Sequence, residues 1–174
     1  MHGREAYGLE ILQQYLDLLA NDRNRVYVWY WPNGEPGMRT ANEVPRAGWG
    51  MAEWYMALLE GLAGVTDTAP GMASMRLTPR WVATDRTQAY VSVRYTANDS
   101  YFAYRMTVDK QQCQIVLEYT GSGETIDLHV LLPGHWTVQN VTSNDDALTF
   151  TTAKIEQSQY VDFADKISGH RRTV

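Results

Sequence analysis

Several ingredients are scarce in this sequence of 174 residues. Cys113 is the only cysteine, which excludes an intrachain disulfide and a thiolate metal cage. Lysine occurs three times and arginine twelve times, scattered along a chain of net charge −5. The dense positive surface that nucleic acids and anionic membranes require is therefore missing. Apolar runs end after a few residues, far short of the roughly 20 that span a bilayer, so we expect no nucleic-acid partner and no membrane partner.

Motifs of specialised chemistry are also missing. The four histidines lack the close spacing of a metal site, and Gly121-Ser122-Gly123 joins two predicted strands, which indicates a hairpin turn and no phosphate loop. Cys113 falls in a predicted strand, where we expect it to be inert packing. We therefore predict no metal and no cofactor. The remaining composition, 44% hydrophobic and 20% charged, is typical of a globular domain.

The first third of the chain has helical periodicity. Residues 5–21 predict an amphipathic helix, because leucines recur every three or four positions. A second helix is predicted from Trp49 to about Gly61, after a loop of turn-forming residues that is longer than a connection requires. This helix is apolar in nearly every direction and needs cover on most sides. That cover must come from the second half, from another chain, or from sequence that has been removed.

From Met75 onward the hydrophobic period changes to two, with turn residues between short runs. Strands are predicted at residues 75–84, 88–96, 101–108, 112–120, 124–132, 136–142, 147–153 and 159–164. The pair 90–95 and 101–106 predicts an antiparallel hairpin with one wet face. The predicted fold is thus α+β and mainly β: an N-terminal helical pair in residues 1–70, then an antiparallel β-sandwich of about eight strands in residues 71–174.

Aromatic residues are concentrated in one segment, since four of the six tryptophans fall between Trp29 and Trp54. Aromatic rings stack on the C–H faces of sugars while polar neighbours bind the hydroxyls. The sequence therefore predicts a substrate-binding set, which comprises Trp29, Tyr30, Trp31, Arg39 and Trp49. Two alternatives stay open: the aromatic residues form the core of the helical pair, and the arginine makes a surface ion pair.

Two carboxylates near this segment are weak catalytic candidates. Glycosidases use a pair of carboxylates roughly 5 to 10 Å apart, and the loop offers Glu35 and Glu43. Glu35 stands in a turn, where a solvated role is the simpler interpretation, and Glu43 lies in a polar run. The sequence does not identify a catalytic pair.

Three short stretches occur in an order that resembles the end of a bacterial (α/α)6-barrel glycoside hydrolase. They are Gly48-Trp49-Gly50, then Glu60-Gly61-Leu62-Ala63-Gly64-Val65, then Thr78-Pro79-Arg80-Trp81. In such enzymes they begin and end the closing barrel helix and lead into a C-terminal β-sandwich. The resemblance implies a C-terminal portion that supports a barrel domain. It also implies that the chain is not catalytic alone, because Trp29 stands near the family's carboxylate position and the helix bearing the general acid has no counterpart.

Two further functions stay open beside that expectation. One is a structural or interaction module that dimerises through its aromatic helical segment, and the other is a free-standing carbohydrate-binding protein. The expected partners are accordingly a carbohydrate, a missing barrel domain or a second copy of the chain. The residues before Glu5 show no secretory pattern. A longer exported hydrolase would place the chain in the periplasm or outside the cell, and otherwise it would be cytoplasmic.

Overall fold

The computed structural model describes residues 3–23, 25–27, 29–37, 48–167 and 172–173. Helix α1 runs from Glu5–Asn21, which confirms the predicted first helix. Helix α2 spans Gly48–Met56 and continues as a π-helical turn, Ala57–Leu62, so the predicted second helix is present with a widened last turn. None of the described helices combines the length and the apolar character needed to cross a membrane.

Short strands make up most of the remaining chain. They are β1 Val65–Asp67, β2 Ser74–Leu77, β3 Gln88–Arg94, β4 Tyr101–Asp109, β5 Gln114–Gly121, β6 Thr125–Leu132, β7 Thr142–Ser143, β8 Asp146–Ala147, β9 Thr151–Ile155, β10 Ser158–Lys166 and β11 Arg172–Thr173. The described fold is therefore α+β and mainly β, as predicted. The predicted hairpin is confirmed, because β3 and β4 pair antiparallel from Gln88 opposite Thr107 to Arg94 opposite Tyr101.

The strands form two sheets and a short ribbon. The larger sheet has the order β1-β2-β6-β10-β9, the smaller has the order β11-β5-β4-β3, and β7 pairs with β8. Adjacent strands run antiparallel except β2 and β6, which run parallel. Because β5 and β6 lie in different sheets, Gly121-Ser122-Gly123 connects one sheet to the other, and the predicted hairpin turn there is wrong.

Both sheets contribute to one buried hydrophobic cluster. In β6 the apolar residues Ile126, Leu128 and Val130 alternate with polar ones and lie in this cluster. The smaller sheet contributes Phe102, Tyr104, Met106 and Leu117 among others. Alternation of apolar residues along a strand is what places one face of each sheet in a shared core. The opposite face of β6 carries Asp127 and His129.

The strand predicted at residues 75–84 ends early, at Leu77. Pro79 follows and has no N–H for a ladder hydrogen bond, and Trp81–Ala83 form a turn of 3-10 helix. The strand predicted at 136–142 is wrong except at Thr142, where β7 begins. Cys113 is not packed in a strand either. It is exposed, in the turn before β5 and with a positive φ of 52°.

The helices pack together through a small cluster of their own. Leu19 and Val26 are buried there, against Tyr15, Met51 and Trp54. The rings of Tyr15 and Trp54 stack with centroids 6.5 Å apart. Helix α1 also contacts the 3-10 turn and the π-helical turn, so it lies beside the connection that leaves β2.

The chain enters β1 through a tight approach between two backbone segments. Gly64 has a φ of 73°, and a Cβ at this position would lie 2.0 Å from the carbonyl oxygen of Thr78. The backbone N–H of Thr78 donates to the Gly64 carbonyl at 2.7 Å. Only glycine combines this conformation with this contact, which explains the Gly-Val that follows the second helix in the sequence.

Helix α2 is not buried on most sides, although its apolar sequence predicts that it should be. It contains no buried residue, and Trp49, Tyr55 and Met56 expose 58%, 61% and 46% of their surface. Trp49, Ala52 and Met56 lie on one face, at spacings of three and seven residues, opposite the face through which Met51 and Trp54 contact α1. The described β half therefore does not cover this side of the helix.

Candidate functional site

The aromatic segment folds as a small hairpin between Trp29 and Gly37. The Trp31 N–H donates to the Glu35 carbonyl at 2.9 Å, the Gly37 N–H donates to the Trp29 carbonyl at 3.0 Å, and Tyr30 bridges Pro36. The reversal is made by Pro32-Asn33-Gly34, in which Gly34 has a φ of 81°. A turn of this kind places alternate residues on opposite sides.

Trp29 and Trp31 lie together on one side of the hairpin. Their rings meet edge to face with centroids 4.7 Å apart, and 41% and 50% of their surfaces are exposed. Gly37 lies directly against the Trp29 ring, since a Cβ there would approach the ring to 2.1 Å. The pair exposes two aromatic rings side by side. Exposed aromatic rings can pack against a sugar ring or against an apolar partner. We call these two residues the tryptophan pair.

Tyr30 points to the other side of the hairpin and is part of its support. Its ring meets Tyr27 edge to face at 5.9 Å, and its hydroxyl donates to the Arg25 carbonyl at 3.4 Å. Burial, together with the hydrogen bond to Asp22 and its charge, raises the pKa of Tyr30 to about 12. The phenol therefore stays protonated at neutral pH and acts as a structural hydrogen-bond donor.

The structure brings together only some of the predicted site residues. Trp29 and Trp31 touch, Tyr30 faces away from them, and Trp49 is exposed at the start of α2. Arg39 and the weak catalytic candidate Glu43 lie outside the described residues.

Glu35, the other weak catalytic candidate, is exposed at the tip of the hairpin. Its backbone N–H donates to the Asn33 side chain at 3.1 Å. This contact is an Asx turn, which stabilises the reversal of the chain.

A buried polar network, which the sequence did not reveal, joins α1 to the larger sheet. Glu5, in the first turn of α1, is buried, with 7% of its surface exposed. Its carboxylate accepts hydrogen bonds from the Ser158 and Tyr160 hydroxyls of β10 and from the Gly3 N–H at 2.9 Å. Tyr160 itself is fully buried. We call Glu5, Ser158, Tyr160 and Arg80 the junction network.

The network holds two groups in defined protonation states. Burial alone would raise the pKa of Glu5, but the hydrogen bonds from Ser158, Tyr160 and the backbone outweigh it and hold that pKa below its ordinary value. Burial, together with the hydrogen bond to Glu5 and its charge, raises the pKa of Tyr160 to about 12 against the opposing effect of Arg80. At neutral pH a carboxylate and a protonated phenol therefore face each other in the interior.

Arg80 anchors the second helical element. It is buried, with 4% exposed, and its Nη1 donates to the carbonyls of Gly61 at 2.6 Å, Thr78 at 3.2 Å and Glu60 at 3.3 Å. Carbonyls at the end of a helix lack partners within the helix and carry a partial negative charge. A buried guanidinium satisfies them, so Arg80 fixes the end of the π-helical turn to the chain after β2.

A charged cleft of about 500 Å³ opens on the outer face of the larger sheet. His129 is stacked on Tyr160 with centroids 4.0 Å apart, and its Nδ1 is hydrogen-bonded to Asp162, its cross-strand neighbour. Asp127 pairs in register with Arg76 of β2, and both line the cleft. The cleft thus offers a hydrogen-bond donor in Arg76 and hydrogen-bond acceptors in Asp127 and Asp162. Such a mixture suits a ligand that carries hydroxyl groups.

Two signals in the sequence pointed to this region without identifying it. Glu5, Leu12 and Leu19 are spaced by seven residues, which places a carboxylate on the buried stripe of α1. The alternation in β6 likewise places Asp127 and His129 on one face. Neither pattern could show that these groups meet on one sheet, because strand order is not encoded locally.

In the part of the chain that the structure describes, no cluster of three or more His, Cys, Asp or Glu side chains is arranged to hold a metal ion. Comparison of the chain with protein-family models, with curated protein sequences and with solved structures yielded no match.

Proposed function

We propose that the chain is the C-terminal portion of a carbohydrate-active enzyme of the glycoside hydrolase type, not catalytic alone, whose sheets form a sandwich that supports a helical barrel domain. The starting point is the resemblance of the chain, in its sequence-specific part roughly residues 26–81, to the end of an (α/α)6 barrel and the sandwich that follows it. One observation carries the proposal: α2 packs on α1 with one face and exposes Trp49, Ala52 and Met56 on the other. A neighbouring barrel helix would fill such a face.

The junction network supports the same proposal. Buried charges at the start of α1 and at the end of the second helical element fix both to the β half. Leaving one partner of a buried charged hydrogen bond alone costs about 1 to 3 kcal/mol or more. A supporting domain needs its two helices attached rigidly to its sheets. The barrel domain that packs on those helices would then be held in one orientation relative to the sheets.

The test is the size of the native protein. An antibody raised against residues 75–167 is used to probe a lysate of the source cells. A band several times heavier than 19.8 kDa is expected, and a band near that mass overturns the proposal. As a second arm, the purified chain is expected to release no reducing sugar from polysaccharides. Release that Glu43→Gln abolishes would also overturn it.

Carbohydrate binding is the second candidate, and the tryptophan pair favours it. Titration with soluble oligosaccharides, followed by tryptophan fluorescence, is expected to give a saturable change that Trp31→Ala removes. Trp81→Phe serves as the matched control, because Trp81 is partly buried and donates to the Tyr104 hydroxyl at 2.7 Å. An unchanged signal up to millimolar sugar contradicts this candidate.

Dimerisation through the aromatic helical segment remains the third candidate. Trp54 packs on Tyr15 inside the helical pair, so Trp49 and Met56 are the residues available to a second copy. Sedimentation over a range of concentrations tests it, and a strictly monomeric chain at every concentration argues against it.

A further inference from the structure

A second cavity lies between the two sheets, beside the β4–β5 turn and the segment that follows β6. Its volume is about 440 Å³, within the range of roughly 300 to 1,000 Å³ that is typical of small-molecule sites. It shares no lining residue with the helices, the tryptophan pair or the junction network. A ligand bound there would therefore act separately from the proposed support of a barrel domain.

The floor of this inter-sheet pocket is apolar. Strands β5, β6 and β10 supply it with Ile115, Leu117, Val130, Leu132, Val161 and Phe163. Leu117, Val130 and Phe163 also belong to the buried cluster, so the pocket is an opening into the hydrophobic core. Such a floor offers dispersion contacts and no hydrogen bonds, which favours a hydrocarbon over a sugar ring.

The rim of the pocket is polar and uncharged. Amides and hydroxyls surround the opening at Gln112, Gln114, Thr137, Gln139, Asn140 and Thr142. Among the described residues that line the pocket there is no Asp, Glu, Lys, Arg or His, although Asp, Glu, Lys and Arg make up 20% of the sequence. An ionic group at this rim would lose hydration without gaining a counter-charge. Amides and hydroxyls, by contrast, match neutral hydroxyl groups.

Hydrogen bonds fix both sides of the rim before any ligand binds. The Asp109 carboxylate accepts from the backbone N–H groups of Gln111 at 2.8 Å and Gln112 at 3.0 Å. On the opposite side, the Trp136 N–H donates to the Pro133 carbonyl at 2.9 Å, and its indole N–H donates to His135 at 3.1 Å. A preformed rim reduces the ordering entropy that binding costs.

We propose that the inter-sheet pocket binds a neutral amphiphile, with a single aliphatic chain on the apolar floor and an uncharged hydroxyl-bearing head at the rim. An alkyl glycoside is the simplest molecule of this class. The proposal stands on the neutral rim and the apolar floor together, since a site for a free sugar would need polar groups below the rim and a site for a fatty acid would need a cation on it.

The test uses n-octyl β-glucoside below its micellar concentration, with glucose and octanoate as comparisons. Cys113, the only cysteine, is exposed at the edge of the pocket and is labelled with an environment-sensitive fluorophore, while calorimetry on the unlabelled chain checks the affinity. Saturable binding of the glycoside is expected, with octanoate at least tenfold weaker and glucose without effect. Absence of saturable binding, or equal affinity for octanoate or glucose, overturns the proposal.

Matched variants separate the pocket from the exposed apolar helices, which could bind the alkyl chain without specificity. Gln114→Glu places a charge on the rim, and Gln88→Glu makes the same change on the exposed edge strand of the same sheet. A loss of at least tenfold in affinity is expected only for the rim variant. Val138→Trp, which fills the mouth, is a second arm if Gln114→Glu unfolds. If Gln114→Glu and Val138→Trp both fold and both bind the glycoside with wild-type affinity, the proposal is overturned.

Discussion

In the β region, residues 65–167, the large apolar side chains are gathered into one cluster, whereas in the helical region, residues 5–62, many of them remain at the surface. Of the ten large hydrophobic residues that are exposed in the described chain, only Tyr90 and Tyr95 belong to the β region. Monomeric proteins rarely leave extended apolar surface uncovered. The two regions therefore differ in burial: the large apolar side chains of the β region cover one another, and those of the helical region are covered only in part.

The two regions are also joined in an unusual way. Among the described residues of α1, α2 and the π-helical turn, Leu59 packs against the main cluster, and Leu62 is buried without belonging to it. The junction is instead made by Glu5, Arg80 and Tyr160, which are buried and hydrogen-bonded. Charged hydrogen bonds impose direction where apolar contact does not, so this junction fixes the orientation of the helices on the sheet.

The largest expected effect is a difference in the free energy of unfolding between two leucine-to-alanine substitutions, one in each region. Leu128→Ala empties part of the main cluster, where 2% of Leu128 is exposed, and should lower the free energy of unfolding by about 2 to 5 kcal/mol. Leu16→Ala removes a side chain of α1 that is 39% exposed, and its loss is partly offset by the helix propensity of alanine. Urea unfolding measures both. Equal losses would show that the two regions do not differ in burial.

A smaller effect, dependent on pH, is expected at the junction. Glu5→Gln keeps the shape and removes the charge that accepts from Ser158 and Tyr160, and should cost about 1 to 3 kcal/mol at pH 7. The folded chain holds the pKa of Glu5 below its ordinary value, so this stabilisation is present above the unfolded-state pKa of about 4.3. It is lost as the pH falls through the lower, folded-state pKa.

Thermal unfolding between pH 7 and pH 3 measures this dependence. The difference between the wild-type chain and Glu5→Gln should shrink at the acid end. Glu10→Gln, at an exposed position of the same helix, is the control and should show no such trend. A difference that stays constant down to pH 3 would mean that the charge of Glu5 does not stabilise the junction.

The sequence predicted the elements with a regular period and missed what depends on their assembly. Helix α1 and the β3–β4 hairpin follow from apolar spacing, and the structure confirms them. The parallel pairing of β2 with β6 could not be predicted, because it joins segments about fifty residues apart. The strand predicted beyond Leu77 failed for a local reason, since Pro79 interrupts the ladder and Arg80 turns toward the helical carbonyls.

The candidate site was also predictable only where its residues are close together in the sequence. The concentration of tryptophan residues drew attention to Trp29 and Trp31, whose rings the structure places in contact, while their role in substrate binding stays a prediction. The junction network was not predictable, since Glu5 and Tyr160 are 155 residues apart in the chain. The strand predicted from residue 112 begins too early, because Cys113 has a positive φ and lies in the turn before β5.

The smallest effect on stability is expected from substitutions on the exposed face of α2. Their small cost would contrast most strongly with the large cost of substitutions in the core of the β region. The double substitution Trp49→Gln and Met56→Gln removes apolar surface that is already 58% and 46% exposed, so the free energy of unfolding of the isolated chain should change by no more than about 0.5 kcal/mol per site. Solubility should rise and any self-association should fall, because the two substitutions replace exposed apolar side chains with polar amides.

Sedimentation and urea unfolding of this double variant distinguish the two possible roles of the face. Met51→Gln and Trp54→Gln, on the opposite face that contacts α1, are the matched control and should destabilise the helical pair without changing association. A loss of 2 kcal/mol or more from the Trp49 and Met56 changes would show that the face is buried within the chain's own fold. A helix apolar on all sides would then be covered internally, and the case for a barrel above it would lose its main support.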